Sequence, residues 1–297
     1  MKRMLVSLFA LTMALFMFAG MCPVYAEGSA PVAENLELKT YKNVSVGGKL
    51  SAFDPEGGEL SFEISTQPIK GEIELYDDGS FVYTPAENKK GRDYFGYRAI
   101  DEQGNCSQEA TVIIKIEKQK KGVFYPELHG TADEYAATAL SEAGIFTGEQ
   151  FCGVYNFDAD REVSRGEFLS MCMALSGEPI VSSVMSTKYN DDGSIPGWMK
   201  PYVATASIMG VEPISSGSAF LPEELITRQE AALMLDSILG LSPVSYISLD
   251  ESMDGELAQA CANLQACGIF DAPATSDALT RREAAHMLVN ALDMMEK

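Results

Sequence analysis

A chain of 297 residues, 46% hydrophobic and 22% charged, is long enough for two ordinary domains with packed cores and is not composed like a disordered polymer. Its 43 acidic residues against 22 basic ones give a formal charge of −21, which repels nucleic acid and anionic lipid and argues against both as partners.

Lys2 and Arg3 lead into an apolar run from Met4 to Met21, and Val24-Tyr25-Ala26 offers small residues where a signal peptidase reads. Residues 1–26 are therefore expected to be a secretory signal peptide; an uncleaved anchor is the alternative, because the run approaches spanning length. Met21 stands before Cys22 where a lipoprotein signal needs a small residue. Cleavage would remove two basic residues and no acidic one, taking the charge to −23, and no later stretch is apolar enough to span a bilayer. Cys106, Cys152, Cys172, Cys261 and Cys267 remain, an odd number whose spacings fit neither a zinc site nor a disulfide framework. They are expected to be buried small apolar residues, in keeping with a reducing or oxygen-poor setting.

Residues 30–117 read as strands. Leu36, Leu38 and Thr40 alternate with polar neighbours, as do Phe62 and Ile64, Ile73 and Leu75, Phe95, Tyr97 and Ala99, and Val112, Ile114 and Ile116. Asp77-Asp78-Gly79-Ser80 is turn chemistry before Phe81-Val82-Tyr83, which predicts a hairpin. Short alternating strands broken by Gly, Pro and Asp indicate a β-sandwich.

Asp54-Pro55-Glu56-Gly57-Gly58, Ser65-Thr66-Gln67-Pro68, Gly71-Glu72-Ile73, Asp78 to Pro85 and Gly91-Arg92-Asp93-Tyr94-Phe95 resemble the cadherin-like Ig modules of bacterial surface proteins. The resemblance implies a spacer or adhesive unit, and in some members a bound calcium. Asp54, Glu56, Asp93 and Asp101 are the candidate calcium ligands, since calcium needs several hard oxygens together. Gly58 stands where the family often has a second aspartate, and Asp54-Pro55 with Gly57-Gly58 also suits a plain turn. No other cofactor is expected. Lys118 to Gly122, basic and polar, reads as a linker.

From Val123 the period becomes helical, and a motif recurs: Ser164-Arg165-Gly166-Glu167, Thr227-Arg228-Gln229-Glu230 and Thr280-Arg281-Arg282-Glu283. Each is a capping box. Ser164, Thr227 and Thr280 accept from the amide of Glu167, Glu230 and Glu283, whose carboxylates reach back to the cap amide. An apolar helical run follows each box, and a helix ending at Gly144, Gly210 or Gly268 precedes it. One such unit cannot bury its own face, so three should pack together, over residues 123–178, 186–241 and 246–297.

The triplet resembles the S-layer homology module. Its second copy carries the fullest match, with Trp198, Pro201-Tyr202-Val203, Gly210, Phe220-Leu221-Pro222 and Ile226 to Glu230; the third lacks the tryptophan and most of the connecting loop. The resemblance implies a pseudo-threefold all-α bundle following the all-β sandwich. It also implies grooves that hold a secondary cell-wall polysaccharide, often bearing a pyruvate ketal whose acid group meets the box arginine. By position that role falls to Arg165, Arg228 and Arg281. A planar guanidinium suits a carboxylate, and a helix start is an anion site. The plain alternative is that each arginine pairs with an acidic neighbour such as Glu162, Glu224 or Asp277. Trp198, the only tryptophan, suits a sugar ring or the interface between repeats, with the interface favoured.

No catalytic constellation is found. His129 and His286 lack metal-ligand spacing, Val46-Gly47-Gly48-Lys49-Leu50 lacks that of a phosphate loop, and carboxylate pairs mean little among 43 acids. The expected protein is secreted and non-enzymatic, bound to the wall of a Gram-positive-type bacterium, with its sandwich offered to a protein or surface ligand. The alternative is an assembly protein whose degenerate triplet makes protein–protein contacts instead.

Overall fold

The computed structural model describes residues 28–211, 218–245, 254–270 and 275–296; the expected signal peptide, residues 1–26, lies outside them. Among the described residues no helix is long and apolar enough to cross a membrane.

The first part is built of β1 (Val32–Ala33), β2 (Leu36–Tyr41), β3 (Val46–Lys49), β4 (Ala52–Phe53), β5 (Ser61–Thr66), β6 (Gly71–Leu75), β7 (Ser80–Pro85), β8 (Gly91–Ile100) and β9 (Ala110–Glu117). One sheet has the order β2-β9-β8-β5 and the other β3-β7-β6, with β1 pairing β4. The β2–β9 pair is parallel. Phe95, Tyr97, Val112 and Ile114 are wholly buried from one sheet, in one cluster with Val46, Phe81 and Tyr83 of the other. This is the Ig-like sandwich that the alternation predicts. The predicted hairpin joins β6 and β7: the Asp78 carboxylate accepts from the Ser80 amide (3.0 Å), and Gly79 takes the left-handed conformation at φ +80°.

The second part contains α1 (Glu134–Ala143), α2 (Arg165–Ser176), α3 (Lys200–Ile208), α4 (Arg228–Leu239), α5 (Gly255–Ala266) and α6 (Arg281–Met295). All three capping boxes are formed in both directions, at Ser164/Glu167, Thr227/Glu230 and Thr280/Glu283. The glycine stops also agree. Gly144, Gly210 and Gly268 are left-handed, and the next amide returns to the helix: Ile145 to Leu140, Val211 to Ala206, Ile269 to Leu264, each at 2.9 Å. One core cluster runs through all three helix pairs.

A short hairpin was not legible in the sequence. β10 (Glu149–Phe151) pairs with β11 (Val154–Asn156) across a two-residue turn, Cys152-Gly153, with both residues at positive φ (50° and 84°).

Two expectations are corrected. The segment 118–122 is no free linker: the amides of Lys120, Lys121 and Gly122 all donate to the Glu142 carboxylate, and Lys121 Nζ donates to Ser141 O at the end of α1. That ammonium sits at the negative end of the helix dipole, which favours a cation there. The cysteines are not uniformly buried. Cys172 is, Cys261 is partly covered, and Cys106, Cys152 and Cys267 are exposed; all five are free thiols. Cys106 and Cys152 lie in loops and Cys267 caps α5, positions that turn side chains to solvent.

The two parts are docked. The buried Glu134 carboxylate accepts from the Ser45 amide of the sandwich (2.9 Å) and from Gly130 N (3.0 Å). Tyr41 of β2 stacks near Tyr135 of α1, ring centres 5.9 Å apart. Gly47 packs so closely that a Cβ there would lie 2.6 Å from the Ala132 Cβ.

Candidate functional site

The three helix starts meet in a ring. Val163 N donates to Leu279 O (2.9 Å), Leu279 N to Ile226 O (2.8 Å) and Ile226 N to Val163 O (3.0 Å). All three residues are fully buried. Each residue immediately precedes the cap of its repeat, so the extended backbone entering each helix is free to bond its neighbour. The next layer closes a second cycle in the opposite sense: Arg165 N donates to Glu224 O, Arg228 N to Asp277 O and Arg281 N to Arg161 O. The three helix starts are therefore joined in a closed backbone cycle.

The arginine side chains lie in the joints between repeats. Arg165 Nη1 donates to Phe220 O (3.1 Å), Leu221 O (3.2 Å) and Glu224 (2.9 Å), while Nη2 donates to Glu230 (2.8 Å). Arg228 donates through Nε (3.0 Å) and Nη2 to Glu283 and lies 3.4 Å from Asp277. Arg281 Nη1 donates to Phe157 O (2.8 Å), Nη2 to Glu149 (3.3 Å), and its guanidinium lies over the Phe146 ring at 5.0 Å. In two joints the partner is thus the carboxylate that closes the next repeat's capping box. The third departs: Glu167 is taken by Arg161 (2.8 Å) and Arg281 turns to Glu149. Burial alone would raise the Glu283 carboxyl, but the Thr280 amide and Arg228 outweigh it and hold the group below its usual range.

This geometry corrects the arginine expectations. Arg165 and Arg281 are expected at grooves between neighbouring repeats, and their side chains are 4% and 2% exposed. A buried guanidinium needs partners, and here carbonyls and carboxylates of the same chain supply them. Arg228, at 20%, is the most accessible of the three. The acidic neighbours are also displaced by one repeat: Glu224 serves Arg165 and Asp277 serves Arg228, while the partners of Arg165 do not include Glu162. The backbone before the second and third caps crosses to the preceding repeat and carries Glu224 and Asp277 there. Arg281 Nε is left as a buried donor without a partner among the described residues.

Trp198 does not sit in the interface. It precedes α3, is 59% exposed, and meets Tyr202 edge-on with centroids 6.4 Å apart. Its neighbour Met199 is buried against Gly166, where a side chain would collide with the thioether. Lys200 just beyond it pairs with Asp192 (2.6 Å), whose carboxyl is lowered to about 2 by that bond and by Thr187.

The candidate calcium ligands are placed as follows. Asp54 accepts the amides of Glu56 (3.0 Å) and Gly58 (2.6 Å). Buried Asp93 takes Ile69 N, Lys70 N and the Tyr83 hydroxyl. Asp101 takes Gln103 N, Asn105 N and Asn105 Nδ2. Glu56 accepts from Ser29 N (3.0 Å). The oxygens of Asp54 and Asp101 are turned to donors of their own turns and those of Asp93 and Glu56 to donors distant in sequence, and among the described residues no three His, Cys, Asp or Glu side chains gather as a metal site.

Residues 28–118 match the bacterial cadherin-like domain. The chain is also similar to exoglucanase XynX of Acetivibrio thermocellus, 29% identical over 136 residues, covering 43% of this chain and 12% of that protein. Among solved structures it is similar to the SrpA adhesin of Streptococcus sanguinis, with a TM-score of 0.27 and 15% identity over 34% of this chain and 63% of that one. An endo-fucoidan hydrolase of glycoside hydrolase family 107 gives a TM-score of 0.26 and 14% identity over 36% of this chain and 16% of that one. The chain spans less than two thirds of the length of each of these proteins. The cadherin-like match covers the whole sandwich, from before β1 to the end of β9, and is the part of the sequence reading that a known family supports.

Proposed function

We propose that this is a secreted surface protein whose helical part, an S-layer homology triplet, holds a secondary cell-wall polysaccharide while the cadherin-like sandwich serves as spacer or adhesive unit. The observation that carries the reading is the hub: three Ser/Thr-Arg-x-Glu helix starts, joined cyclically. An exposed indole edge-packed on a tyrosine offers a sugar ring an apolar face, and Arg228 is the arginine an acidic ketal can reach. Arg165 and Arg281 act instead as clasps. No catalytic role is part of the proposal.

A second reading, assembly through protein–protein contacts, is favoured by one observation: each box arginine already has carboxylate partners within the chain.

Sedimentation of the full chain with Gram-positive walls, intact or stripped of secondary polymer, separates the two. Polymer-dependent pelleting that Trp198→Ala and Arg228→Ala each weaken about tenfold supports anchoring. Equal behaviour with both walls supports assembly. Because the chain is strongly acidic, anchoring should tolerate or improve with salt up to the physiological range, since screening relieves the long-range repulsion first.

A further inference from the structure

Between the sandwich and the helical part runs a groove in two connected stretches, cavities of about 770 and 380 Å³ that share Lys39, Tyr135, Asp293 and Glu296. Its sandwich wall is unusual. Asn35 to Lys39 line the larger stretch in unbroken order, and Lys39 to Tyr41 line the smaller. Side chains of a strand alternate between faces, so consecutive residues lining one cavity mean that the strand turns its backbone edge to it. β2 is the terminal strand of its sheet, bonded on one side to β9. Alternate residues of such a strand point N–H and C=O away from the partner. Among the described residues the backbone of Leu36 to Lys39 makes no bond beyond that ladder.

The opposite wall belongs to α1 and α6. Lys39 Nζ reaches across to Asp293 (3.2 Å) and Glu296 (2.6 Å), so the groove already binds one ammonium between two carboxylates. With Glu37 the larger stretch carries three acidic groups against Lys39 and Lys115, while His286 is engaged by Asp133; the smaller stretch adds Glu117 and Glu142 against Lys118 and Lys120. The aromatic rings here, Tyr41 and Tyr135, face each other and leave no platform for a sugar.

We propose that this groove binds an extended, lysine-bearing peptide segment that pairs with the free edge of β2. Backbone pairing supplies the affinity, Leu36, Leu38 and Val46 give its apolar side chains a floor, and Asp293 and Glu296 receive its ammonium group in competition with Lys39. The site is independent of the polysaccharide reading.

The test uses the full chain and end-blocked Lys-Val-Lys-Val-Lys-Val, the same peptide N-methylated at alternate residues, and Glu-Val-Glu-Val-Glu-Val. Calorimetry and amide chemical shifts are the readouts. The first peptide should bind with shifts centred on residues 36–41 and on α6. N-methylation and the Asp293→Asn/Glu296→Gln double variant should each weaken it about tenfold, and Lys39→Met should tighten it severalfold. The acidic peptide should not bind. Absence of binding by the first peptide, equal binding of its N-methylated form, equal binding of the acidic peptide, or shifts confined to other surfaces would each overturn the proposal.

Discussion

Arg165 Nη2 lies 2.8 Å from Glu230 Oε1, so the start of α2 is fastened to the carboxylate that closes the cap of α4. One glutamate thereby serves its own helix terminus and the joint to the preceding repeat. Secondary structure and the packing of repeats become a single cooperative unit at this point.

Removing Arg165 should be costly. Its side chain is 4% exposed and its loss strands two carbonyls and the Glu230 carboxylate. Breaking a buried pair from one side costs about 3–5 kcal/mol, so Arg165→Ala should lower the urea midpoint by that equivalent. Arg165→Lys should recover little of it, because an ammonium cannot reach both sides of the joint at once. A loss under about 1 kcal/mol would show that the joint contributes no more than an exposed pair.

The three box glutamates should not be equivalent. Glu167 pairs with Arg161, which is 40% exposed, whereas Glu230 pairs with buried Arg165. Glu167→Gln should therefore cost about 0.5–1 kcal/mol and Glu230→Gln about 2–3 kcal/mol, compared by chemical denaturation. Equal costs would mean that capping alone accounts for both.

Acid should weaken the helical part in a defined window. Burial alone would raise the Asp133 carboxyl from its ordinary 3.8, but His286 and Arg282 outweigh it and leave it lowered. Glu283 is lowered from 4.5, and Asp192 lies at about 2. A carboxyl lowered in the folded state stabilises above its unfolded value and loses that contribution as pH falls through the folded one. Thermal stability should be level from neutral pH to about 4.5 and decline below it, the Asp192 part persisting until near pH 2. Stability that rises on acidification over this range would contradict these assignments.

Thiol reactivity should sort by position. Cys172 is fully buried and its thiol is pushed far up by desolvation, while Cys261 is raised by partial burial and by Asp236. Alkylation followed by mass spectrometry should label Cys106, Cys152 and Cys267 first, Cys261 more slowly, and Cys172 only on unfolding. Early labelling of Cys172 would require an opening of the core at α2.

Calcium should leave the sandwich unchanged. Asp93 spends its oxygens on two amides and the Tyr83 hydroxyl (2.8 Å), so added calcium or a chelator should not move the melting temperature. Tyr83→Phe, by contrast, should cost about 1–2 kcal/mol by removing one donor from a buried carboxylate. A calcium-dependent rise in melting temperature would restore the metal site.

The local grammar was plain in the sequence. Alternation fixed the inward residues of β8 and β9, the Ser/Thr-x-x-Glu spacing gave all three caps, and Gly144, Gly210 and Gly268 gave the stops. These signals act over a few residues, where propensity and hydrogen-bond geometry are decided by neighbours in the chain. The role of the box arginines was not legible, because the acids nearest in sequence to Arg228 and Arg281, Glu230 and Glu283, are taken by the arginine of the preceding repeat.

Sequence by itself determined a β module followed by three capped helical units, since each of those statements depends on periodicity and short spacing. The ring of Val163, Ile226 and Leu279, the burial of Arg165 and Arg281, the exposure of Trp198 and the groove along β2 were decided only by the tertiary structure. Each depends on which surfaces meet after the units pack, and residues tens of positions apart are brought together by burial of apolar faces that no local pattern specifies.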